Sequence, residues 1–207
     1  LTAASKALES LSQRQEAAPD ISEPARQQTR LRLASVLRQL GDFRGAMGQF
    51  ELVLKAQPNL LNVQVEAAQT FQEGAAYRYA IKGGRPDPTS QRNVIWGWER
   101  ISAIVARQMR LGDQQKSQYS DTFFEARLQV ATCRLREAQA LNGEKRTRYL
   151  QQARQAVTSI AALYPDLGGN DWRKKYDDLL RQIQPELGES PSGLGPTSNT
   201  THGENSE

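Results

Sequence analysis

Three features of the sequence predict an all-α fold built from antiparallel helix hairpins. Apolar residues recur three and four positions apart along most of the chain. No stretch sustains the alternation of β-branched or aromatic residues with polar ones that marks a half-buried strand. Glycines and prolines cut the helical pattern into short pieces that tight turns can join.

The first piece, Leu1 to about Gln15, sets Ala4, Leu8 and Leu11 on a weak apolar stripe that breaks at Pro19-Asp20. A helix from about Ser22 to Leu40 carries Leu31, Leu33, Ala34, Leu37 and Leu40. Pro24 is tolerated near its start, where the amides have no helical partner anyway. Gly41 can take the left-handed conformation that closes the last carbonyls, and Asp42 can cap the next helix. In that helix, Phe43 to about Ala56, Ala46 lets two axes approach, Phe50 fills the space where they diverge, and Val53 extends the same face. Pro58 forbids continuation, Asn59 can start the turn, and a third helix runs from about Leu60 to Glu73.

Over residues 27 to 60 these positions (Leu33, Ala34, Leu37, Gly41, Phe43, Ala46, Phe50, Val53 and Pro58) resemble a tetratricopeptide repeat, with Arg30 where the usual first-helix tryptophan would stand. A shift of 34 residues finds a degraded second copy, through Ala67, Ala68, Phe71, Tyr77 and Ala80. There Gly84 replaces the interhelical aromatic, and GGRPDPTSQRN at 83–93 reads as an insertion that cuts the second hairpin short. A looser third unit spans 119–165. Its first helix holds Phe124, Leu128, Ala131 and Leu135, and its second, about Glu144 to Leu163, holds Ala153, Val157 and Ile160 ahead of Pro165.

Such hairpins cannot bury an apolar face alone, so the resemblance implies a short stacked solenoid over residues 1–184 with a capping helix at its end. NDWRKKYDDLLRQIQ at 170–184 fits the cap. Asn170 or Asp171 can hold its first amides, and Trp172, Tyr176, Leu179 and Ile183 share one face. Residues 185–207, rich in Gly, Ser, Pro and Thr, are expected to be a disordered tail. The start at Leu1 instead of methionine suggests a fragment, the C-terminal part of a longer bacterial chain.

Composition narrows the chemistry. Apolar residues at 38% and charged residues at 24% are those of a globular chain, and no run approaches the length of a membrane span. The net charge of +4 is mild and without a block of like charge, so it gives only a lean toward an acidic partner. One cysteine, Cys133, forbids an internal disulfide and leaves the compartment open; its helix-like surroundings, VATCRLREA, suit a small buried thiol.

The only histidine, His202, lies in the tail, so no buried histidine is available for acid–base or metal chemistry. Neither GxGxxG nor GxxxxGK[ST] occurs, and Gly83-Gly84 reads as a turn. Asp177 and Asp178, adjacent on a helix, face different ways and make a poor carboxylate pair. No enzymatic activity, cofactor or metal is expected on this inventory.

The tetratricopeptide resemblance implies that a peptide lies along the concave surface lined by the first helix of each hairpin. The groove positions would be Gln28, Leu31, Ser35, Arg38 and Gln39 in the first repeat, then Asn62, Val65, Gln69, Gln72 and Glu73 in the second. Leu31 and Ser35 stand where some relatives carry the lysine and asparagine that clamp a terminal carboxylate, so capture of a free C-terminus is not implied. The alternative is that these are solvated helix residues.

A second candidate patch comes from NVIWGWERISAIVARQMR at 93–110, read as one helix. Val94, Trp98, Ile101, Val105 and Met109 share a face, which leaves Trp96 opposite with Arg100 and Arg107. An aromatic between two arginines could grip an acidic or aromatic ligand; the alternative is that Trp96 packs over the 83–93 insertion.

The leading expectation is a non-enzymatic interaction module or scaffold for a peptide or partner helix, of unspecified identity. A basic helical repeat for nucleic acid is the alternative, although the arginines are scattered among Asp and Glu and no basic-aromatic platform repeats. A structural spacer without a ligand is the third.

Overall fold

The computed structural model describes residues 2–18, 20–84 and 93–195. Among the described residues the regular elements are all α-helices: α1 (Thr2–Ala17), α2 (Glu23–Gln39), α3 (Phe43–Ala56), α4 (Leu61–Glu73), α5 (Tyr77–Lys82), α6 (Trp98–Met109), α7 (Asp113–Gln139), α8 (Gly143–Leu163) and α9 (Asn170–Glu186). Each helix packs on the next, and α7 also touches α5 and α9.

Turn chemistry sets the early boundaries. Gly41 sits at φ +79°, and the Asp42 amide reaches back to Leu37 O at 2.9 Å, closing α2. The Asp42 carboxylate then accepts the Gly45 amide at 2.8 Å, which caps α3. Ala75 plays the glycine's part after α4, at φ +55°, with Ala76 N bonded to Phe71 O at 2.8 Å. In α3, Ala46, Phe50 and Val53 are fully buried, as the spacing predicts, and Leu54 joins them.

The core consists of two buried clusters that meet along α4. One gathers Leu33, Ala34 and Leu37 of α2, the buried side of α3, and Val63 and Ala67. The other runs from Ala68 through α5 to α9, centred on Trp98, Ile101, Val130, Leu135, Val157 and Tyr176. Cys133 lies in this second cluster, where burial pushes its thiol up to about 12.

Between α5 and α6 the backbone is extended, not helical. Gly83 and Trp96 form an isolated antiparallel bridge, and the Gly84 amide donates to Ile95 O at 3.1 Å. Ile95 packs into the first cluster and its neighbour Trp96 into the second, as consecutive residues of extended chain must point opposite ways. The approach depends on glycine: a Cβ at Gly97 would lie 2.3 Å from Ile81 O. The second hairpin is accordingly short, with α5 ending at Lys82, while residues 85–92 of the 83–93 insertion lie outside the described residues.

Four sequence expectations are corrected. The helix expected over 93–110 starts only at Trp98, because the bridge holds 93–97 extended. In α1, Ser5 and Ser12 are buried with Leu8 partly covered, whereas Ala4 and Leu11 face solvent. Ser5 satisfies its hydroxyl on Thr2 O at 3.0 Å, and Arg26 of α2 donates to Gln15 O and Ala18 O, so polar contacts fix which side of α1 meets α2. Neither Asn170 nor Asp171 caps α9; Gly169 precedes it, and no side chain serves.

The tail does not begin at 185. Helix α9 continues through Pro185 to Glu186, and residues 187–195 fold back along it, with Leu187 and Leu194 against the second cluster. Residues 196–207 lie outside the described residues.

Candidate functional site

Three helices that are not consecutive, α2, α4 and α7, present polar side chains to one another across a shared face. The last turn of α2 supplies Arg38, whose guanidinium grips Glu73 of α4 in a two-point pair, Nε to Oε2 at 2.6 Å and Nη2 to Oε1 at 2.5 Å. Its remaining nitrogen, Nη1, donates to Gln69 Oε1 at 3.4 Å. Gln69 in turn donates to Glu125 of α7 at 3.4 Å, and Gln72 donates to Gln129 of α7 at 2.8 Å. The Gln72 oxygen is also engaged, accepting Trp98 Nε1–H at 3.1 Å.

Arg38, Gln69, Gln72, Glu73 and Gln129 line an open recess with Tyr77 and Arg136. The Arg38 hydrogen bond lowers the Glu73 carboxyl below the ordinary glutamate range, outweighing partial burial, and the same bond raises Arg38. The face therefore holds one fixed ion pair flanked by glutamines. Amides both donate and accept, so this surface can match the main chain of an extended segment without demanding a particular side chain.

The sequence-derived groove positions are spread over neighbouring depressions. Arg38, Gln69, Gln72 and Glu73 converge in the recess just described. Gln28, Leu31, Ser35 and Asn62 line a neighbouring depression nearer the N-terminus, with Leu8 and Glu66. Ser35 and Gln39 also border the space beside Arg38 and Glu73. Val65, half-buried on α4, packs against the second apolar cluster.

In the second patch, Arg100 lies over Trp96, 4.9 Å from guanidinium carbon to ring centroid. The indole is only 4% exposed, so it offers a ligand little surface. Arg107 stands about two turns further along α6 and faces solvent. The structure joins Trp96 to Arg100 but does not complete the expected trio.

Sequence reasoning missed Glu125, Gln129 and Arg136. The signal was present: Glu125 and Gln129 directly follow Phe124 and Leu128, the apolar positions assigned to the first helix of the third unit. It also missed Gln64, fully buried on α4, whose amide donates to Pro58 O and Val94 O, both at 2.9 Å, and accepts Trp96 N–H at 2.7 Å.

Among the described residues no group of three or more His, Cys, Asp or Glu could hold a metal ion, and no helix is long and apolar enough to cross a membrane. No protein-family model matches the chain, and comparisons with curated proteins and with solved structures gave no match.

Proposed function

We propose that this chain is a non-enzymatic interaction module of the tetratricopeptide type, a short solenoid that holds an extended peptide or a partner helix across α2, α4 and α7. The observation that carries the reading is the row from Arg38 through Gln69 to Glu125, one side chain from each of three non-consecutive helices. Further support comes from the repeat positions: Leu33, Ala34, Ala46, Phe50 and Val53 are buried in the first unit, Ala67, Ala68 and Ala80 in the second, and Ala153, Val157 and Ile160 in the third. A surface already ordered by packed helices loses little freedom when it binds, so modest contacts suffice.

The test is binding of a displayed library of extended peptides to the intact protein and to Arg38→Ala/Gln69→Ala. Peptides selected by the parent and lost by a variant of unchanged helical signal would support the assignment. Selected peptides that bind both proteins alike would remove function from this face. Retention only of nucleic acid, weakening steeply with salt, would replace the proposal with the phosphate-binding alternative.

A further inference from the structure

At the far end of the molecule, residues 190–195 lie on α9 as a bound peptide would. Arg173, Asp177, Arg181 and Gln184 stand on one side of that helix, spaced by four, four and three residues. They engage the segment chiefly through its main chain. Arg181 Nη1 donates to Pro191 O at 2.8 Å, and Arg173 Nη2 to Gly195 O at 2.6 Å. Gln184 Oε1 accepts the Gly193 amide at 2.9 Å, while its nitrogen donates to Ser192 Oγ at 2.9 Å. Asp177 Oδ1 accepts the Leu194 amide at 2.7 Å, and the Leu194 side chain packs against the core.

Gln184 is 8% exposed, so the partners of its buried amide are supplied by this segment. The fit is selective. Gly193 takes φ +69°, and a Cβ there would sit 2.1 Å from Asp177 Oδ1. Glycine is thus required on two grounds, backbone conformation and space.

We propose that the outer face of α9 is a peptide-binding site, separate from the α2–α4–α7 face, whose ligand is an extended Pro-Ser-Gly-Leu-Gly segment. Here the chain's own residues 191–195 fill it, and a second copy supplies the same segment when the intramolecular one is displaced. The short connection from α9 gives the tethered segment an effective concentration on the order of millimolar, so the intact chain resists a free competitor.

The experiment uses the full chain and a synthetic peptide of residues 189–195 as probe, followed by NMR. In Gly193→Val the Leu194 amide is expected to lose its hydrogen-exchange protection while helical content is kept. This chain should bind the probe about tenfold or more tightly than the parent does. Adding Asp177→Ala and Gln184→Ala should abolish the gain. Leu194→Glu provides a second means of release if the valine disturbs folding. The proposal is overturned if a released, folded chain binds the probe no better than the parent, or if the backbone amide of residue 194 stays protected in both release variants.

Discussion

The buried side chain of Gln64 accepts the backbone N–H of Trp96 at 2.7 Å, and that contact fixes where the two apolar clusters meet. Because the Gln64 amide also donates to Pro58 O and Val94 O, one residue ties the α3–α4 turn to the extended stretch ahead of α6. Gln64→Leu should cost about 3 kcal/mol, since it strands several buried polar groups at once. Urea unfolding gives the number, and a midpoint equal to that of the parent would show that the contact carries no weight.

Phe50 is fully enclosed between α2, α3 and their neighbours. Phe50→Ala is expected to destabilise by about 3 to 5 kcal/mol, the usual range for emptying an aromatic site in a core. A melting temperature unchanged from the parent would remove Phe50 from its place as the interhelical aromatic.

Ala75 holds a left-handed conformation, φ +55°, that costs a residue with a Cβ about 1 to 2 kcal/mol. Ala75→Gly relieves that strain but leaves a more flexible unfolded chain, so a net gain of about 0.5 to 1 kcal/mol is expected. Destabilisation on calorimetry would contradict the strain.

The Arg38–Glu73 pair should be visible in the pH dependence of stability. The hydrogen bond from Arg38 depresses the folded-state pKa of Glu73, and the charged groups acting on the pair include Glu66. Its contribution is therefore fully present above the unfolded glutamate value and disappears as pH falls through the lower folded one. The Glu73 side chain remains 46% exposed, so the effect stays within about 1 kcal/mol. Glu73→Gln should be less stable near neutrality and lose less on acidification; parallel curves for the two proteins would exclude the linkage.

Sequence spacing reaches those features that neighbouring residues determine. Gly41, Asp42 and the Ala46–Phe50–Val53 face encode a turn and a helix side within a few positions, and the structure follows them. The register of α1 is different. Arg26, on another helix, selects it through carbonyls at the end of α1, and apolar periodicity carries no trace of that contact. The stretch 93–97 misleads in another way: Val94 and Trp98 continue the helical spacing of Ile101 and Val105, although Gly97 marks the point where the chain approaches Ile81 O too closely for a side chain. At the candidate site, repeat spacing located Arg38 and Gln69, but Glu125 lies on a long helix whose polar positions the loose third unit left unassigned.

The bridge between Gly83 and Trp96 also bears on how this protein can be lengthened. Gly84 is bonded to Ile95 O and Asn93 Nδ2 to Lys82 O, so the described residues on either side of 85–92 are held by the folded body. Because Gly84 and Asn93 are anchored in this way, a tag, a fluorophore-bearing segment or a small domain spliced between them is expected to leave the helices in their places.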